Sequence, residues 1–478
     1  MPRAEGGRLG GRGVEGRLGR QGQQEDLTIS LYDAVPYVGR PFAQTHPDRL
    51  ATLAALFGRA PADPAHCRVL ELGCGDGGNL VPLAMVLPDS TFLGIDSAPA
   101  AIARGRAFEL PNLTLTTASI EAFRSVGEFD YVIAHGVYSW LDAETRDALL
   151  AVIARALAPH GVAYVSYNAL PGGRLREALR DILRFHTEAL EDPRERVDQA
   201  RALLRFLLAE WPEHQELRPQ AELLLHRTGA SLLHDELAPY NAPVYFHEFA
   251  AHAAAHGLQY LAEADFFESQ TTADELRAID DAVRREQYMD FVKGRMFRQT
   301  LLCHADAPVD RSPRPEVIAP LAFSTPAVRD GEAFTGPTGS TLSTDHPDVI
   351  AAFERAAGAW PAAVWVRDCD GDAEVLHAAL LRAYAANLVQ LHVHPPACAT
   401  HAGERPRVTP LARHQAERGE YVTNLRHALV RVEDERGRRL ITLLDGTHDR
   451  AALVRELPVE GLDASLESLA QLALILRE

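Results

Sequence analysis

Lysine is almost missing from this chain of 478 residues: of 48 basic residues only Lys293 is a lysine, against 66 Asp and Glu, for a formal net charge of −18. The preponderance of arginine carries no chemical message, but the acidic balance does. Gripping nucleic acid over a wide surface needs clustered cations, so that class of partner is excluded. Cysteine is scarce as well. Five (Cys67, Cys74, Cys303, Cys369, Cys398), scattered and odd in number, make no disulfide framework, and a reducing cytoplasm is the expected compartment. No apolar run reaches the roughly 18 residues of a membrane span. Residues 1–26, rich in Gly and Arg, lack the apolar stretch of a secretory signal and read as a disordered tail. With 46% hydrophobic residues the chain has enough apolar content for packed cores, and the length suggests about three domains.

From Arg68 to Asn168 short apolar runs alternate with helical spacing. Strands are expected at Arg68–Leu72, Thr91–Ile95, Leu113–Thr117, Phe129–Ala134 and Gly161–Ser166, with a clear helix at Thr145–Leu157. Such alternation predicts right-handed βαβ units and a parallel sheet. After Pro171 the spacing turns wholly helical, so residues 172–242 are expected as a helical insertion. Leu258–Ala262 and Phe297–His304 are then the sixth and seventh strands, with helices Phe246–His256 and about Thr272–Lys293 beside them. The α/β unit thus comprises 27–171 and 243–305. Residues 306–345, rich in Pro, Ser, Thr and Gly, read as a linker with one or two strands, and 346–478 as an α+β unit resembling a winged helix. In that unit helices are expected at His346–Trp360 and Ala373–Leu388, a strand at Val389–Val393, and a hairpin pairing Ala428–Val432 with Arg439–Leu444.

The strongest chemical signal is a strand, then Glu71-Leu-Gly-Cys-Gly-Asp-Gly-Gly78, then a helix. Gly73, Gly75 and Gly78 fit G-x-G-x-x-G, and Asp96 closes the next strand where a ribose-binding carboxylate stands. Glycine lets backbone approach a ligand, and a helix N-terminus favours a carboxylate or phosphate. A dinucleotide and S-adenosylmethionine fit this pattern equally.

Wider motifs separate them. Glu71-x-Gly-x-Gly, Asp96 and the turn Pro159-His-Gly161 resemble a class I S-adenosylmethionine-dependent methyltransferase, a Rossmann-like seven-stranded fold. Tyr32–Tyr37, Pro41–Pro47, Ala134–Trp140, Val165–Gly172, Glu286–Tyr288, Phe297–Leu302 and Leu443–Thr447 resemble, more narrowly, bacterial enzymes with a methyltransferase regulatory domain, including rickettsial-type protein-lysine methyltransferases. The resemblance implies S-adenosylmethionine as cofactor and a protein side chain, lysine favoured, as acceptor; a small-molecule or lipid acceptor, or a non-catalytic cofactor-binding scaffold, are the alternatives. A homodimer is compatible with it. By position it implies that Glu71, Gly73, Gly75 and Gly77 line the methionine part of the cofactor, Asp96 and Ser97 the ribose, and Ser119 and Ile120 the adenine, with Cys74 and Asn79 also among the cofactor-binding residues. His135 is expected beneath the sulfonium, with Phe42, Gln44 and Thr45 folded over the cofactor as a lid. Tyr138, Trp140, Tyr167 and Asn168 are the expected catalytic groups around the acceptor amine. The chain departs from the common pattern at Ala118–Ile120, where many such enzymes hold adenine with an Asp, and at Gly173, where the rickettsial type has an aromatic.

Two histidine-rich stretches raise the question of a metal: His392, His394, Cys398 and His401, and His247, His252 and His256. Neither has the spacing of a zinc module, and no metal is expected. Between Ser340 and Thr400 seven acidic residues outnumber three arginines, so the winged-helix-like unit is expected to meet protein rather than DNA.

Overall fold

The computed structural model describes residues 39–124, 127–457 and 461–477; the expected tail at 1–26 and the motif Tyr32–Tyr37 lie outside them. Seven strands form the central sheet: β1 (Arg68–Leu72), β2 (Thr91–Asp96), β3 (Leu113–Thr117), β4 (Phe129–Ala134), β5 (Leu157–Asn168), β6 (Leu258–Glu263) and β7 (Phe297–His304), in the order β3-β2-β1-β4-β5-β7-β6. The first five run parallel and β7 runs antiparallel to both β5 and β6. The two late strands therefore return to the sheet as the apolar pattern predicts.

Each inner strand is apolar on both faces because both are covered. Val69, Tyr131, Ile133, Val162 and Tyr164 join the cluster under helix α1 (Pro47–Leu56). Their neighbours Leu70, Val132, Ala134, Ala163, Val165 and Tyr167 face the opposite cluster, with Leu149, Ile153 and Phe249. That two-residue alternation decides which side chains share a site with the glycine turn.

The chain divides into two compact units. The smaller comprises 97–101 and 175–239, a helical body with Leu179, Leu183, Ala200, Leu204, Leu224, Leu232 and Leu233 at its core. Asp192 starts its long helix Pro193–Glu210 by accepting from the backbone N–H of Arg194 at 2.7 Å, and Arg176 pairs with the buried Glu236. The larger unit holds the sheet and everything from Tyr240 onward.

Three expectations are corrected in that larger unit. Residues 306–345 hold four strands rather than the one or two expected. They carry β8 (Ala322–Ser324), β9 (Val328–Asp330), β10 (Ala333–Thr335) and β11 (Thr341–Ser343); β8 pairs with β12 (Val364–Trp365) and β13 (Gln390–His392). Phe323, Phe334 and Phe353 belong to the same apolar cluster as Leu50 and Leu53, so this layer is continuous with the sheet's core. Second, the helix expected at 272–293 is broken into the turn Asp274–Arg277 and the helix Ala282–Lys293, which Asp281 caps. Third, the expected hairpin partner 439–444 is helical. Asp434 accepts from Gly437 N–H at 2.8 Å and starts the helix Glu435–Leu443, which buries Leu440, Ile441 and Leu443. The hairpin that does form joins β14 (Tyr421–Thr423) to β15 (Leu429–Arg431). Helices Pro410–Ala416, Arg450–Glu456 and Leu462–Gln471 complete this C-terminal unit. Among the described residues no helix is long and apolar enough to cross a membrane.

Candidate cofactor site

The end of β1 leads directly into the glycine turn. Gly73, Gly75 and Gly77 all take positive φ, which side chains with a Cβ rarely adopt. Gly73 and Cys74 donate to the carbonyl of Ile95, and Gly75 N–H donates to Asp96 Oδ2 at 2.8 Å. The carboxylate at the tip of β2 is thus locked to the turn at the tip of β1. A Cβ at Gly75 or Gly136 would meet nothing within 4 Å among the described residues, so both glycines border open space. Cys74 differs: its side chain is buried in the core, against Gly94.

Glu71 sits on the same face as Val69 and points under the turn, 3% exposed. Its Oε1 accepts from Asn79 Nδ2 at 3.0 Å, while Oε2 is buried with no hydrogen-bond partner among the described residues. Burial, with Asp96 and Asp76 nearby, pushes its carboxyl up to about 8. A buried acceptor left unpaired is costly, and a cationic donor placed there would relieve it. Asn79 is the junction of the site. Its Oδ1 accepts from Phe42 N–H at 3.1 Å, lies 3.1 Å from Thr45 Oγ1, and accepts from His427 Nε2 at 2.7 Å. The short turn Ala43–Thr45, which includes the half-buried Gln44, is held against the glycine turn in this way.

Below Phe42 lies His135, ring centroids 3.6 Å apart. Its Nδ1 is 3.0 Å from the Tyr164 hydroxyl and 3.3 Å from Ser166 Oγ; Tyr164 in turn donates to Gln299 Oε1 at 2.8 Å, and Gly136 N–H donates to Ser166 Oγ at 2.7 Å. Burial lowers the His135 imidazole to about 3, with the Arg40 guanidinium adding to the effect, so the ring is neutral at physiological pH.

The structure thus brings Phe42, Thr45, Glu71, Gly75, Asn79, Asp96 and His135 onto one edge of the sheet. Ser97 follows Asp96 in the chain. Ser119 is half-buried and its Oγ accepts from Ala122 N–H, whereas Ile120 is packed into the core on the far face.

Two of the expected catalytic residues lie away from this edge of the sheet. Tyr138 and Tyr167 are only 2% and 1% exposed and pack around Phe249, on the face opposite Glu71 and His135. Tyr138 OH lies 2.9 Å from His252 Nδ1 and Tyr167 OH lies 3.0 Å from Thr300 Oγ1. Burial pushes the Tyr138 phenol up to about 12. One residue of strand alternation explains the displacement: on β5, Tyr164 and Ser166 face His135 and Tyr167, the next residue, faces away. Asn168 is buried and donates to Asn241 Oδ1 at 2.8 Å, and Trp140 is half-buried in the turn Tyr138–Trp140. Sequence reasoning missed Tyr164 and Ser166 on β5 and Gln299 on β7, because strands apolar on both faces do not show which side chains share a face with His135.

Among the described residues the first histidine-rich stretch does not gather, whereas two residues of the second do. His392 Nδ1 is 2.7 Å from Asp48 Oδ2 and its Nε2 is 2.9 Å from Ser324 Oγ. His252 and His256 converge on the exposed Asp147, and His247 bonds Gln287 instead.

Comparison with known proteins agrees with this geometry. Residues 70–163 match a family model described as a methyltransferase domain, 228–304 a predicted methyltransferase regulatory domain, and 404–471 the C-terminal winged helix domain of PKMT. The uncharacterized protein RP789 of Rickettsia prowazekii is 40% identical over 297 residues, which take in 59% of this chain and 54% of that protein. RP028 of the same organism is 35% identical over 228 residues, 46% of this chain and 91% of the other. The chain thus spans about half of the first relative and nearly all of the second. The structure of PKMT2 from Rickettsia typhi in complex with AdoHcy superposes with a TM-score of 0.80 at 25% identity, covering 92% of this chain and 100% of that one. The turn, the paired Asp96 and the full-length likeness lead to one conclusion: the chain belongs to the class I S-adenosylmethionine-dependent methyltransferases that carry a methyltransferase regulatory domain.

Proposed function

We propose that the chain transfers the methyl group of S-adenosylmethionine to lysine side chains of a protein. The observation that carries this reading is the C-terminal match, residues 404–471, to a winged helix domain of PKMT type, alongside the full-length likeness to PKMT2. The cofactor supplies an electrophilic methyl on a sulfonium, and the open space beside Gly75 and Gly136 together with the unpaired Glu71 Oε2 fits it. Glu71 accepts the cofactor's ammonium group. Asp96, fixed by Gly75 N–H, accepts from the ribose hydroxyls. Phe42 and Thr45 close over the site, held by Asn79. A neutral His135 adds no positive charge beside the sulfonium, which a protonated ring would repel.

The incoming lysine must shed its proton, since its ordinary pKa is about 10.4. A site that removes water favours the neutral amine. Tyr164, Ser166 and Gln299 offer oxygen atoms on the His135 face that orient the amine, and in-line positioning supplies much of the rate. The net charge of −18 attracts a cationic acceptor.

The test is to incubate the protein with a cell lysate and methyl-labelled cofactor. Label is expected in protein bands and, after hydrolysis, in methyllysine. Label confined to the organic extract would replace the protein acceptor with a small molecule or lipid. Cofactor binding with no label transferred would make the chain a scaffold.

A further inference from the structure

The hairpin β14–β15 of the C-terminal unit ends in a tight tip, Asn424–Ala428. Asn424 Oδ1 accepts from the N–H groups of Arg426 and Ala428, each at 3.0 Å, and Asn424 N–H donates to the carbonyl of Ala428 at 2.9 Å. That turn forces His427 to φ +56°, a left-handed conformation that only a few residue types, His among them, enter with any frequency. The tip is seated by Arg426, which donates to the carbonyl of Pro361 at 2.7 Å and to Ser324 Oγ at 2.9 Å. Ser324 bonds His392, and His392 bonds Asp48 at the start of the Pro47–Leu56 helix. The His427 ring packs edge-on against His46, the residue that caps that helix.

So anchored, His427 is 2% exposed and spends its Nε2 hydrogen on Asn79 Oδ1, at 2.7 Å the shortest bond that Asn79 makes. The amide orientation follows from its surroundings. Phe42 N–H donates to the same oxygen, and the opposite side of the amide faces the Glu71 carboxyl. Thr45 Oγ1, 3.1 Å from the same oxygen, also has the Phe42 carbonyl at 2.9 Å for its one hydrogen; with Phe42 N–H and His427 Nε2 on its lone pairs Asn79 Oδ1 is satisfied, and Nδ2 is left aimed at Glu71.

We propose that His427, at the tip of the C-terminal hairpin, is a positioning residue for S-adenosylmethionine. Through Asn79 it fixes both Glu71 and the Phe42–Thr45 turn, so the cofactor site reaches full affinity only with the hairpin seated. The C-terminal unit then supplies part of the cofactor site's rigidity as well as any acceptor contact. This rests on placing the cofactor over Glu71 and Gly75, and not on the identity of the acceptor.

The experiment is calorimetric titration of the full chain with S-adenosylhomocysteine, paired with steady-state kinetics in S-adenosylmethionine. His427→Ala is expected to weaken binding at least tenfold and to raise KM for the cofactor by a similar factor, with kcat at saturation within twofold of the parent. His427→Gln, which keeps an N–H donor, should recover affinity to within threefold. If the alanine variant does not fold, His427→Asn takes its place, since Asn tolerates the left-handed turn but its shorter side chain falls short of Asn79. In an Asn79→Ala background, removing His427 should cost nothing further. The proposal is overturned if the Ala or Asn variant binds like the parent, if Gln restores nothing, or if the loss persists unchanged without Asn79. Asp96→Ala, run alongside, separates the two ideas. Weakened binding by that variant alone leaves the cofactor site in place and removes only the role of His427, whereas full affinity in both would remove the cofactor assignment itself.

Discussion

Glu71 carries a conflict between stability and function that can be read from titration. Its carboxyl, ordinarily near 4.5, is pushed up to about 8 by burial in the folded chain. Between those values the unfolded chain ionises while the folded one holds its proton, so stability is full below about pH 4.5 and falls as pH rises towards 8. At about 1.4 kcal/mol per unit the loss is on the order of a few kcal/mol. Glu71→Gln removes the linkage. The variant should lose less melting temperature than the parent between pH 5 and 8 in thermal scans, and should bind S-adenosylhomocysteine more weakly. Parallel melting curves for the two proteins would contradict this. Asp96→Ala should lower cofactor affinity at least a hundredfold in the same titration, because it removes the carboxylate that Gly75 N–H locks to the glycine turn; affinity within threefold of the parent would contradict the assignment. Tyr138→Phe and Tyr167→Phe test whether these two buried phenols take part in transfer. Each removes one buried hydrogen bond, at about 1 kcal/mol, and should leave kcat unchanged; a slowed transfer at full stability would return them to the acceptor site.

At the level of elements, β6 and β7 are tied to the helix Ala282–Lys293 by one side chain. Arg298 is 1% exposed, donates to Asp290 and Glu286, pairs with Glu263, and lies 3.8 Å from the centroid of the Phe246 ring. Breaking such a pair strands buried carboxylates, so Arg298→Ala should cost about 3–5 kcal/mol in denaturant unfolding. Arg298→Lys should restore little, because a single ammonium cannot reproduce the forked contacts. A loss below 1 kcal/mol for Arg298→Ala would show that the cluster is not what holds the two late strands. The elements also show what a sequence makes legible. Strand, glycine turn and Asp96 stood out because backbone chemistry alone dictates them. The face of Tyr167 did not, since a two-residue alternation is invisible where both faces of a strand are apolar. Glu435–Leu443 was misread for a related reason: Leu440, Ile441, Leu443 and Leu444 form a short apolar run that suits a strand as well as a helix, and only the Asp434 cap decides. His427 gave no signal at all, because its partner Asn79 lies 348 residues away.

Across the whole molecule, the apolar cluster that begins under the sheet continues through Phe323, Phe334 and Phe353. A stretch rich in Pro and Gly was legible as irregular but not as packed, since short strands such as Ala322–Ser324 are stabilised by long-range partners. The acidity present at the outset acquires a use here. An acidic enzyme attracts a cationic acceptor from a distance, so KM for the acceptor should rise several-fold between 50 and 300 mM salt while kcat stays nearly constant; a salt-independent KM would sever charge from recognition. The most direct test of lysine methylation compares S-adenosylhomocysteine formation on lysate proteins before and after their amines are acetylated, which removes the nucleophile and leaves other acceptor groups in place. Turnover should fall to the level seen without lysate, and turnover that survives acetylation undiminished would contradict a lysine acceptor.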